Sequence, residues 1–145
     1  MNGPNGFTGD LLVKYLDGTN WEVAQGFTYH LGTPDGREFV SIGAGLVTDF
    51  ASIPLVIRLV FRSPGGKWDK PAVVHDCLYR TARLSATDGS LRYIERDEAD
   101  RIFLEAMSVT GVGWLARRVF YRGVRVGGMF AWDRHRKAED ADTTA

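Results

Sequence analysis

A single cysteine, Cys77, leaves the chain without an internal disulfide. Small secreted domains more often carry a set of bridges, so synthesis in a reducing cytosol is expected. No apolar run approaches the roughly 20 residues needed to span a bilayer; Leu55-Val56-Ile57, for instance, is cut at Arg58. Met1 to Gly9 has neither a charged leader nor an apolar core, so no signal peptide is expected. Charge of one sign is also missing. The 18 basic side chains balance 18 acidic ones, and a protein that lives on nucleic acid would show a basic excess, so no nucleic-acid partner is expected. Zinc hydrolysis lacks its signature, because no second helical His lies near His75 and no HExxH spacing occurs. A P-loop, a dinucleotide fingerprint and a Gly-x-Ser-x-Gly elbow are absent too.

What is present is the composition of an ordinary globular protein, 44% hydrophobic and 25% charged over 145 residues. The expected class is α+β. Period-two alternation marks strands near Leu11–Leu16, Trp21–Ala24, Phe27–Leu31 and Glu38–Ile42, and their short connections predict one antiparallel meander. The period changes near Asp49. Ser52 before Ile53-Pro54 predicts a capped short helix to Phe61, ended by Ser63-Pro64-Gly65-Gly66. Asp69 reads as the N-cap of a helix running to about Leu84, with Pro71 in its first turn, and Ser85–Ser90 as a polar loop. Asp97 reads as the cap of a third helix, closed by Gly111 and Gly113, and a fourth spans Trp114 to about Val126. Residues 1–132 are therefore expected to form one domain, β-rich over 7–50 and helical over 52–132. Residues 133–145 are expected to be a polar, disordered tail.

Chemistry concentrates in Pro71–Tyr79. Ala72, His75, Asp76 and Tyr79 fall at i, i+3, i+4 and i+7, one face of a helix. A His and a carboxylate in such a stripe are costly to bury without partners. Asp100 lies in line with Phe103 and Met107 on the next helix, and consecutive helices joined by a short connection pack antiparallel, so His75 is expected to meet Asp100. A purely structural hydrogen bond between the two is the competing account. Asp49 is either a turn carboxylate or a further metal ligand. Arg118, Arg122 and Arg125, at i, i+4 and i+7, are either a solvated stripe or a contact to phosphate or an anionic headgroup. Trp114, Phe120, Tyr121, Phe130 and Trp132 read as core and rim rather than a lipid-insertion surface. His30 and His135 have no evident partner, and Cys77 reads as a buried, inert thiol.

His75-Asp76-x-x-Tyr79 followed by Ala99-Asp100-x-x-Phe103 resembles the active-site helices of phospholipase A₂, above all the disulfide-free form in some viral capsid proteins. The resemblance implies His75 as general base, Asp100 holding its imidazole, and Tyr79 bracing the network. It also implies Asp76 as a calcium ligand, joined by carbonyls of a glycine-bearing loop such as Gly43-Ala44-Gly45 or Ser63–Gly66. The whole chain resembles an uncharacterised family of bacteriophage and prophage genomes, through Val47–Pro54, Ala72–Tyr79, Ala99–Met107 and Tyr121–Gly128. The expectation is a phage-associated hydrolase of lipid or other ester bonds, using His75, Asp100 and Tyr79, with calcium at Asp76 and Asp49 and Arg118, Arg122 and Arg125 facing headgroups. The alternative is a non-enzymatic tail or capsid accessory protein, partnered by other phage structural proteins and carried in the virion.

Overall fold

The computed structural model describes residues 6–18, 20–48 and 66–144. Asp49, Ser52, the short helix expected over Pro54–Phe61 and the break at Ser63-Pro64-Gly65 lie outside them. The described elements are β1 (Phe7–Thr8), β2 (Leu12–Asp17), β3 (Asn20–Gln25), β4 (Phe27–His30), β5 (Glu38–Ile42), β6 (Val47–Thr48), α1 (Asp69–Thr81), β7 (Arg83–Ala86), β8 (Leu91–Tyr93), α2 (Arg96–Val109) and α3 (Trp114–Thr143). Antiparallel strands precede three described helices, so the α+β class holds.

The expected single meander is instead two sheets, a five-stranded one in the order β1-β4-β5-β7-β8 and a three-stranded one in the order β2-β3-β6. The chain changes sheet at Gly26, between β3 and β4. A Cβ there would stand 2.9 Å from the carbonyl oxygen of Ile42, so the close approach excludes a side chain. Val23, Phe27, Tyr29, Val40 and Ile42 turn inward and meet Val73, Val74 and Leu78 of α1 in one core. A second cluster, Ala72, Phe103, Met107, Phe120 and Val124, fills the space between the three helices.

Helix α1 is buried from Pro71 through Tyr79, which fits an element packed on all sides rather than a surface helix. Its N-cap is Trp68, not Asp69; the Asp69 carboxylate in the first turn accepts the Gly66 N–H at 3.2 Å. The helix stops at Thr81 rather than Leu84, because Ala82 adopts a left-handed conformation (φ 49°). The stretch read as a polar loop begins as a strand. Leu84 is buried, β7 pairs with β5, and β8 closes a hairpin over Thr87–Ser90. Tertiary pairing with β5 decides that segment, and its polar composition hides it. Helix α2 begins two residues earlier than expected, with Glu95 as N-cap; Asp97 instead pairs with Arg101 at 3.2 Å on the surface.

The tail expected to be disordered from residue 133 is the last part of α3, which continues to Thr143. Arg136 holds it down, donating to the carbonyl oxygens of Tyr79 (3.0 Å) and Arg80 (2.7 Å). Those carbonyls lie in the last turn of α1, where no intrahelical donor remains for them. Glu139 joins the same contact by accepting from Arg83 and Arg136. No described helix is long and apolar enough to cross a membrane.

Candidate functional site

The three helices converge on one carboxylate. Asp100 of α2 is fully buried, and its Oδ1 accepts from His75 Nε2 at 2.8 Å and from the Tyr79 hydroxyl at 2.7 Å. Its Oδ2 accepts from Arg125 Nη1 of α3 at 2.9 Å, with Arg96 Nη1 3.9 Å away. Arg96 also donates to the Arg125 carbonyl at 3.0 Å, which ties α2 to α3 at the site. The expected meeting of His75 with Asp100 is therefore observed. It follows from one residue facing α2 from the α1 stripe and the other facing back from the apolar edge of α2.

Electrostatics fix the protonation pattern. Burial would push the Asp100 carboxyl up, but the hydrogen bonds from His75, Tyr79 and Arg125 outweigh it and hold the group below the usual carboxylate range. Burial, reinforced by the hydrogen bond to Asp100 and its charge, pushes the Tyr79 phenol up, so Tyr79 stays a donor. An ionised carboxylate only accepts, hence Nε2 carries the proton donated to Asp100, and a neutral ring in this orientation would present its lone pair at Nδ1. Among the described residues nothing hydrogen-bonds Nδ1. The ring is wedged between Tyr79 (centroids 4.1 Å apart) and Phe103 (4.8 Å), and the residue is 2% exposed. That packing locks the imidazole in orientation.

Asp76 diverges from its neighbour by about 100° around the helix and faces β6, where the Thr48 hydroxyl donates to its Oδ2. Both residues are buried. Calcium takes six to eight oxygens, and among the described residues no group of three His, Cys, Asp or Glu comes together around an ion. In the turn at Gly43–Gly45 the Gly45 N–H donates to the Val23 carbonyl and the Gly43 carbonyl accepts from the Leu46 N–H. Asp49 and Ser63–Gly65, the other oxygen donors expected for the ion, lie outside the described residues.

The arginine stripe divides. Arg125 turns in to Asp100, whereas Arg118 and Arg122 are exposed, Arg118 over the Trp114 ring at 5.7 Å. The three fall within an arc of about 60° on one face, and Arg125 lies at the edge of that arc nearest the buried side of the helix. Of the aromatics expected in core and rim, Phe120 and Trp132 are buried, but Trp114 and Phe130 stand in solvent. His30 does have a partner, since its Nδ1 lies 2.8 Å from the Gly36 carbonyl. Cys77 is buried as expected, and desolvation pushes its thiol up to about 11. Thr48, Arg96 and Gly128 escaped the sequence reading. Gly128 of α3 lies against Tyr79, where a Cβ would overlap the phenolic oxygen and stand 3.0 Å from two ring carbons. Thr48 and Gly128 both sit in segments that carry the phage-family resemblance; nothing marked Arg96.

Two cavities lined by described residues lie elsewhere. One of about 290 Å³ is bordered by Tyr29, Thr33 and Val109. Another of about 430 Å³ is bordered by Arg83, Tyr93, Trp132 and Arg136; Trp132 separates it from Tyr79, which it meets edge-on at 5.3 Å.

No curated protein and no solved structure matches the chain. A family model described as a protein of unknown function (DUF1353) matches residues 21–124, from β3 through α1 and α2 into α3, and the chain belongs to that family.

Proposed function

We propose that the protein is a hydrolase of lipid or other ester bonds, with His75 as its general base. The observation that carries this reading is the 2.8 Å contact between His75 Nε2 and an ionised Asp100, which leaves Nδ1 as the basic nitrogen. In the proposed reaction Nδ1 takes a proton from water while the water oxygen bonds to the ester carbonyl carbon. Asp100 stabilises the imidazolium, which then protonates the departing alcohol oxygen as the carbon–oxygen bond breaks. Tyr79 and Arg125 are positioning residues, because both act through Asp100. Asp76 is the residue we propose for calcium, with Asp49, and the proton transfers above involve no ion. We propose a phage-related setting, with synthesis in the host cytoplasm and a place in the virion, on the resemblance of the four segments named above.

The near-complete burial of His75 and Asp100 favours a second reading, in which the cluster is a hydrogen-bonded knot in a non-enzymatic tail or capsid accessory protein. Release of fatty acid from phospholipid vesicles, or of alcohol from soluble esters, separates the two. The hydrolase reading expects turnover that Asp100→Asn lowers by about 10²-fold or more, through loss of the correct tautomer and of imidazolium stabilisation. No turnover of either substrate class by the wild type would favour the knot.

A further inference from the structure

The outward face of α3 is apolar along its first half. Leu115, Val119, Val126, Met129 and Phe130 are all exposed, Val126 to 80% and Phe130 to 71%. At 100° per residue they fall within an arc of about 120°, and the stripe runs about 22 Å along the axis. Arg118 and Arg122 lie within the same arc, and no carboxylate occurs between Trp114 and Trp132. In a chain with zero formal charge that is a local excess of cations beside an exposed apolar stripe. The opposite face of the same helix carries Phe120, Val124 and Gly128, buried against the rest of the molecule.

We infer that this face of α3 docks on an anionic lipid surface, with the five apolar side chains entering the headgroup boundary and Arg118 and Arg122 meeting phosphates. Charge complementarity chooses this occupant. A second copy packed through the same stripe would bring four arginines together with no carboxylate from this stretch to receive them, whereas a sheet of phosphates matches both features. The docked helix is also the one that supplies Arg125 to Asp100 and seats Gly128 against Tyr79, so the membrane would lie one helix away from the candidate site. The inference extends the ester-hydrolase reading to a substrate in a lipid surface, but it stands on the helix face, and binding is measured apart from hydrolysis.

The test is co-sedimentation of the full chain with vesicles of phosphatidylglycerol and phosphatidylcholine, against vesicles of phosphatidylcholine alone. Binding to the anionic vesicles is expected, weakened by salt, and reduced about tenfold or more by Arg118→Gln with Arg122→Gln and by Val126→Ser with Phe130→Ser. Thermal melts show which variants remain folded, and the arginine pair gives up only the Arg118 contact with the exposed Trp114 ring. His75→Asn is expected to bind vesicles like the wild type, so a hydrolase reading that fails leaves the docking result intact. No binding to anionic vesicles overturns the inference, as does binding that neither double variant changes. Light scattering that shows a dimer, broken by Val126→Ser with Phe130→Ser, in a protein that ignores vesicles assigns the face to a second copy instead.

Discussion

Gly128 lies so close to the Tyr79 ring that a methyl group in its place would overlap the phenolic oxygen. That oxygen donates to Asp100, so a glycine on α3 controls a hydrogen bond between α1 and α2. Gly128→Ala is expected to cost about 1–3 kcal/mol as an overpacking substitution, measured by urea unfolding. Tyr79→Phe removes the oxygen and is expected to cost about 0.5–1.5 kcal/mol. The two together should cost less than their sum, because the phenylalanine ring gives back part of the space. Additive costs would mean that Gly128 and Tyr79 do not compete for it.

How much of this was legible in the sequence follows from the range of each interaction. The α1 stripe and its partner Asp100 were readable because helical periodicity places His75 and Asp100 on facing surfaces once two helices are known to be consecutive. Strands β2 to β5 were readable from alternation. Their division into two sheets was not, since Gly26 turns the chain through a contact with Ile42, sixteen residues on. The β7–β8 hairpin depends on β5, and the extension of α3 on carbonyls at the end of α1, so composition misjudged both. Arg125 illustrates the same limit. Its spacing joined it to Arg118 and Arg122, while a carboxylate 25 residues earlier claimed it.

Acid stability should report the Asp100 network directly. The folded carboxyl titrates below its unfolded value of about 3.9, so the unfolded chain binds more protons as pH falls through that range. The stabilisation is therefore present above about pH 4 and lost as pH drops through the lowered folded value. Asp100→Asn should be less stable than wild type at pH 7 and should converge towards it as pH falls below about 4. Parallel stability curves across that range would show that Asp100 is not held ionised. Tyr79 has the opposite sign, its stabilising contribution being full below about pH 10 and lost on further increase, as for any group whose folded value is raised.

Cys77 should resist modification while the protein is folded. Its thiol is buried and pushed up to about 11, so at pH 8 the reactive thiolate is scarce and poorly accessible. Reaction with a disulfide reagent should be at least about tenfold faster after denaturation. Equal rates in the two states would place the thiol in solvent.

Calcium has its own readout. If Asp76 contributes to an ion site, millimolar calcium should raise the melting temperature by binding only the folded chain, and Asp76→Asn should abolish the rise. Asp76→Asn also disturbs the Thr48 hydrogen bond, so its melting point without calcium is the reference. Titration calorimetry with no heat up to millimolar calcium would remove the ion from the proposal and leave the His75–Asp100 pair unaffected.

Whether His75 is a base and not only a packed donor is read from kcat/KM for ester hydrolysis by His75→Asn, measured beside its unfolding free energy. A folded variant is expected, with kcat/KM lowered by about 10²-fold or more, because asparagine offers no basic nitrogen. A variant destabilised by about 1–3 kcal/mol, in a protein whose wild type hydrolyses no ester, would contradict the basic role and make the cluster a structural knot.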